Sequence, residues 1–240
     1  MKLYHNVYLV CGNVYSSEDN VYAIDAPEGT ILVDTGTDDR EYEIIKEQMA
    51  YWGLKPVTHV ILSHAHINHC FNAARFQREG AKIICTAPVA DAILNATDRL
   101  IDYHRTSFTF HTRSFEKLTA DVVIKSPGEY TFAGLPLMLY ITHGHSKGCL
   151  VISMMEGERQ YLFTGDFMQV APVNAHGVAG WNGDIEYDAD AYLKELAYFS
   201  TFEPEAVLPG HGQQCMRDAW QIPKNTYVRA LRATHKKLNP

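Results

Sequence analysis

Apolar residues along the chain fall into short runs separated by polar turns. Val7 to Val10 and Tyr22 to Ile24 read as strands of an early meander. Gly29 to Val33 reads as a turn and a buried strand, ending on Asp34-Thr35-Gly36. The period then changes. Ile44, Ile45, Met49 and Trp52 recur at helical spacing, which predicts a helix over 39–52 that Gly53 stops. Val57 to Leu62 is short, apolar and β-branched, and predicts a buried strand. A short helix is expected from Asn72 to Arg78, ended by Gly80, and another strand from Ala81 to Cys85.

The second half repeats the theme. Val122–Ile124, Tyr130–Phe132, Leu135–Ile141, Leu150–Ser153 and Tyr161–Phe163 read as strands. Residues 188–199 carry Tyr192, Leu193, Leu196 and Phe199 on one helical face. Ala206 to Leu208 is a last strand, and a helix rich in Lys and Arg closes the chain. Strands interleaved with helices over 240 residues predict one α/β domain. Residues 95–118 follow no clear period; a lid over a substrate and a helix pair packed on the core are both open there.

Composition narrows the function. Hydrophobic residues are 46% and charged residues 20%, as in an ordinary globular core. The net charge of −7 repels phosphate backbones, so nucleic acid is not the expected partner. No run of about 18 apolar residues predicts a membrane helix, and the N-terminal residues enter a strand pattern without a signal-like apolar region. The five cysteines are scattered, with no closely spaced pair, and read as free buried thiols in a reducing compartment. A cytoplasmic enzyme acting on a small molecule fits, with no membrane partner. Oligomeric state is not read from the sequence; a homodimer is compatible with it.

The chemistry concentrates at strand ends. Ser63-His64-Ala65-His66-Ile67-Asn68-His69 follows the strand over 57–62 directly. Imidazole is the commonest metal ligand, and His-x-His on an extended segment points two rings the same way. Three further strands end on Gly144-His145-Ser146, Phe163-Thr164-Gly165-Asp166 and Pro209-Gly210-His211-Gly212. Such ends can converge on one crevice of an α/β sheet. Together the four pieces supply five histidines and one carboxylate.

Taken jointly, these motifs resemble the metallo-β-lactamase-fold superfamily over residues 7–212. Its hallmark is His-x-His-x-Asp-His followed by single His, Asp and His motifs in that order, and Asp34-Thr35-Gly36 also matches it. The resemblance implies a four-layer αβ/βα sandwich with two mixed sheets and metals in a cleft at one edge. It implies one metal held by His64, His66 and His145, a second held by His69 and His211, and Asp166 bridging both. Zinc suits these donors, as one or two ions, and iron or manganese would accept them. Asp34 would orient ligand histidines from behind or cap a helix.

Asn68 departs from the pattern, standing where the family has Asp. An amide is neutral, a weaker ligand and no general base. Its oxygen could still ligate; Cys70, His143 or His176 could replace it; or the site could hold a single metal. The expectation is two metals, the second held more loosely. Cys70 reads as a packed hydrophobe, and His143, His176, His104 and His111 as solvated. The segment from Trp181 through Asp184 to Tyr187 reads equally as cleft lining or as a turn.

Size and ligand set resemble glyoxalase II-like thioesterases and lactonases. The expected function is a metal-dependent hydrolase of an ester, thioester or lactone, with Asp166 and Asn68 at the reacting centre. A secreted β-lactamase or a tRNA-processing nuclease fits the composition less well. The alternatives are an oxidoreductase resembling persulfide dioxygenases, with one iron on His64, His145 and Asp166, and a non-catalytic binding protein.

Overall fold

The computed structural model describes residues 1–17, 19–97, 115–171, 176–180, 182 and 186–238. Two sheets face each other, and side-chain alternation sets which layer each strand residue joins. The first sheet has six strands in chain order: β1 (Val7–Cys11), β2 (Val21–Ala26), β3 (Gly29–Val33), β4 (Val57–Ile61), β5 (Lys82–Thr86) and β6 (Val122–Ile124). β1 to β3 pair antiparallel, and β3 to β6 run parallel.

The second sheet starts as a meander of β7 (Gly128–Phe132), β8 (Leu135–Thr142), β9 (Cys149–Glu156) and β10 (Arg159–Gly165). A two-stranded ribbon follows, β11 (Met168–Val170) with β12 (Gly177–Ala179). β13 (Ala206–Pro209) then adds parallel to β10, so the order is β13-β10-β9-β8-β7.

In β1, Val7 and Leu9 enter the core between the sheets, while Tyr8 and Val10 join the core beneath the first helix layer. In β9, Leu150, Ile152 and Met154 face the other sheet and Val151 faces the second helix layer. Strands buried on both faces read as unbroken apolar runs, which is why Ile31-Leu32-Val33 shows no alternation. β4 is the exception to the buried strand expected there: Val57, Thr58 and His59 are only half-buried, and full burial begins at Val60.

The first helix layer holds α1 (Asp39–Tyr51), α2 (Ile67–Cys70), α3 (Ala73–Arg78) and α4 (Ala87–Asn95). The Asp38 side chain caps α1 by accepting from Glu41 N at 2.8 Å. Gly53, at φ 62°, turns the chain out of it. The apolar spacing is explained by Tyr42, Ile45 and Met49, all buried on the sheet. α4 has no clear helical period in the sequence; Thr86 precedes it and Pro88 falls in its first turn.

On the other side, α5 (Ala189–Phe199) buries Tyr192, Leu196 and Phe199 against the second sheet. α6 (Gln221–Leu238) adds Tyr227 and Ala230 to the same cluster. The layers therefore run helix, sheet, sheet, helix: the αβ/βα sandwich.

Residues 98–114, and with them His104 and His111, lie outside the described residues, as do Trp181 and Asp184. The described end of the 95–118 segment, Phe115 and Leu118, packs into the first helix layer's core. Tyr187 rests on Tyr192 at 5.7 Å between ring centres. All five cysteines are free and buried. Among the described residues no helix is long and apolar enough to cross a membrane.

Candidate metal centre

Strand direction brings the four motifs to one edge. β8 and β10 are both antiparallel to β9, so their C-terminal ends lie on the same side, and β13 runs with β10. β3 and β4 end together in the first sheet. Leu150 N donates to Ser63 O at 2.7 Å and ties the two sheets at this edge. His64 and His66 stay on extended backbone past β4, with His66 at φ −60°, ψ 138°. Asn68 and His69 then ride on the helical turn α2.

Two donor clusters result. In the first, His66 Nδ1 lies 3.0 Å from His64 Nε2 and 3.3 Å from His145 Nε2. Asp166 Oδ2 is 3.9 Å from both Nε2 atoms. In the second, His69 Nε2 and His211 Nε2 lie 3.2 Å apart. Asp166 reaches it too, with Oδ1 3.6 Å from His69 Nε2 and Oδ2 3.3 Å from His211 Nε2. Two nitrogens bound to one tetrahedral zinc at about 2.0–2.1 Å are roughly 3.3 Å apart, so the observed spacing suits such an ion.

Asp166 itself supplies the fit test. Its Oδ1 is fully buried and has no hydrogen-bond partner. An orphaned buried carboxylate oxygen costs its full desolvation, and a cation between the clusters would satisfy it.

Electrostatics agree. Burial, reinforced by neighbouring His69 and His66, pushes His64 well below its usual range, leaving a neutral ring with a lone pair to offer. Burial opposes charge on His69 and His211 as well, yet is outweighed. Asp166 and then Asp34 hold His69 well above its usual range. Asp166 raises His211 to about 9. Burial works to raise Asp166, but His211 and His69 overcome it and keep the carboxyl well below the usual carboxylate range. The crevice is built to hold positive charge, and protons and metal compete for it.

Asp34 supports both clusters. Its Oδ2 lies 2.9 Å from His69 Nδ1 and accepts from Ser63 Oγ at 2.8 Å; Oδ1 accepts from Ser63 N at 2.7 Å. Ser63 Oγ in turn lies 2.9 Å from His64 Nδ1. The far nitrogen of one ring in each cluster is thus anchored, which orients the near one. Asp34 orients these rings and is no helix cap; Asp38 fills that place on α1.

Asn68 is buried, and its amide nitrogen lies 2.9 Å from Asp19 Oδ1 and 3.0 Å from His211 Nε2. The three residues named as replacements for the missing acid stand elsewhere. Cys70 is buried in the first helix layer's core, its thiol donating to Ala65 O at 3.4 Å and pushed far up by burial. His143 is exposed, with Nδ1 accepting from Gly148 N at 3.3 Å. His176 is half-buried and joins neither cluster. The residue that does join is Asp19, grouped with His69 and His211. Sequence reasoning missed it, because one acid in the polar run after Tyr15 carries no spacing signal.

Fold and donors together define a class: αβ/βα sandwich proteins with a candidate two-metal centre at one edge of the sheets. The chain belongs to the metallo-beta-lactamase superfamily, whose family model matches residues 18–211. Among solved structures it resembles the subclass B3 metallo-beta-lactamase of Bradyrhizobium japonicum at 19% identity and TM-score 0.71, covering 99% of this chain and 92% of that one. A metallo-beta-lactamase from Pontibacter korlensis gives 17% identity and TM-score 0.72, over 96% and 97% of the two chains. One from Cronobacter sakazakii gives 15% identity and TM-score 0.71, over 99% and 96%. At these identities the likeness is one of fold. No curated protein matches.

Proposed function

We propose that this protein is a metal-dependent hydrolase of a small-molecule ester, thioester or lactone. The observation that carries the reading is Asp166, whose two oxygens face two histidine clusters at once while one of them lacks any hydrogen bond. His64, His66 and His145 would hold one ion and His69 and His211 the other, with Asp166 between them. Zinc suits the nitrogen and carboxylate donors, and iron or manganese would fit the same set. When bound, such an ion lowers the pKa of its water towards about 7 and polarises a carbonyl or phosphoryl oxygen.

The protein's own groups do the rest. Asp166 orients the attacking water. Asn68 places an amide N–H donor at the crevice and cannot take up a proton, so the leaving group takes its proton from water or from another side chain. His211, with 27% of its side chain exposed, marks the open side by which substrate enters. The acidic surface favours a small molecule over nucleic acid, and the free buried cysteines favour the cytoplasm.

The test is a panel of thioesters, lactones, phosphodiesters and β-lactams, assayed with zinc, iron or manganese loaded to known stoichiometry. Turnover of a thioester or lactone that chelation abolishes is expected. Turnover confined to β-lactams or phosphodiesters overturns the substrate class, and metal-independent turnover overturns the mechanism.

A second reading rests on His64, His145 and Asp166, which form a two-histidine, one-carboxylate set with Oδ2 equally far from both rings. Such sets hold iron in oxygen-using enzymes. Protein purified without added metal would then carry one iron per chain; two zincs per chain remove this reading.

A further inference from the structure

We propose that Asp19 is a ligand of the second metal position and that the Asn68 amide serves to orient it. The inference rests on the metal-centre reading above and adds a residue that no motif contains. An Asp19 oxygen and one ring nitrogen each from His69 and His211 lie within 4.8 Å of one another. Asp19 Oδ1 is 3.4 Å from His211 Nδ1. Asp19 is 3% exposed, so its carboxyl oxygens need protein or cation partners in place of water.

The backbone fixes this placement. Asp19 forms an antiparallel bridge with His211. Asn20 N donates to Gly210 O at 2.7 Å, and its side-chain amide donates to Pro209 O and Gly212 O at 2.9 and 3.0 Å. From the other side, Ser17 Oγ donates to Glu41 Oε1, and Glu41 Oε2 accepts from Thr37 N at 2.5 Å. The loop that carries Asp19 is thus stitched both to the His211 loop and to the start of α1.

Asn68 then has a defined task. It turns its NH2 group towards Asp19 Oδ1 and His211 Nε2. An amide nitrogen is a donor with no lone pair to give a metal. By donating to Oδ1 it fixes the direction of the Asp19 carboxylate, one of whose oxygens lies with the ring nitrogens of His69 and His211. The carboxylate of the second position comes from the loop before β2 and not from the histidine motif.

The experiment is zinc binding by the full chain, measured as ions per chain with competing chelators. Wild type, Asp19→Asn, Asn68→Asp and the double variant are compared, each checked for a folded near-ultraviolet spectrum without metal. Wild type is expected to bind two zincs. Asp19→Asn should keep the first and lose the second by more than about 100-fold, beyond the 10–100-fold typical of a residue that only orients a ligand. The double variant should recover the second ion, because its carboxylate returns from the Asn68 side. A loss below about 100-fold in Asp19→Asn, or a wild type with one zinc, overturns the assignment to Asp19. A wild type that binds no zinc, iron or manganese overturns the metal-centre reading instead. Should Asp19→Asn not fold, a zinc-loaded crystal of wild type still decides: an Asp19 oxygen at about 2.0–2.2 Å from the ion is expected, and a clearly longer distance rejects it.

Discussion

Asp34 lies behind His69, with Oδ2 2.9 Å from Nδ1, and its backbone has the left-handed φ of 64°. The strained backbone turns the carboxylate back under the histidine motif, where it also accepts from Ser63 N and Oγ. A non-glycine residue at such a φ is uncommon and points to a demand made by the surroundings.

Asp34→Asn isolates the electrostatic part of that role, since Asn tolerates the same φ. The amide keeps one acceptor oxygen but loses the charge beside His69. Metal affinity should fall by about 10–100-fold, with little loss of fold. Chelator competition measures the first and thermal unfolding of metal-free protein the second. Unchanged affinity would mean that Asp34 serves the fold alone.

Gly210 is a steric sensor for the site. It is absent from the positive-φ glycines, so alanine meets no backbone penalty. A Cβ there would lie 2.8 Å from both Asp166 Oδ1 and His69 Cε1. Gly210→Ala should push these groups apart, costing about 1–3 kcal/mol from overpacking and lowering zinc content. Metal analysis with thermal melts checks it, and a variant with full zinc and unchanged melting rejects the contact.

Glu41 sets a pH dependence of stability. Burial, followed by repulsion from Asp19, lifts its pKa from 4.5 to about 7. Folded protein then holds a proton that unfolded protein releases near 4.5. Between these values the folded state binds more protons, so stability falls as pH rises. Glu41→Gln keeps one acceptor oxygen for Thr37 N, turns an NH2 donor towards Ser17 Oγ, and removes the titration. In urea melts of metal-free protein at about pH 5 and about pH 8, the decline should be smaller in the variant than in wild type. Equal declines would remove Glu41 as its source.

Metal removal should destabilise the whole molecule, because two sheets meet at the site. An ion at 100 times its Kd adds about 2.7 kcal/mol. For a chain of this size that raises the melting temperature by roughly 5–10 °C. Calorimetry with and without a chelator reads it, and identical curves with bound metal present would show that the site is uncoupled from folding.

Much of the architecture was legible along the chain because it is local. The apolar runs of β1 and β3, the helical spacing of Ile45 and Met49, and the stop at Gly53 each depend on neighbours within a few residues. The six histidine and aspartate donors were legible for a similar reason: each follows a strand directly, and strands of an α/β sheet deliver their ends to one edge. α4 carries too short an apolar run to show a clear helical period, and α2 is a single turn with none.

By itself, the sequence determined which groups could donate to a cation and that a neutral amide stands at position 68. Tertiary structure alone decided what answers that amide. Asp19 lies 49 residues before Asn68 and reaches it only because the loop before β2 pairs with the loop after β13. That pairing needs β13 to join β10 and the two sheets to close on a shared core. Such contacts are set by packing between distant segments, and no local periodicity encodes them.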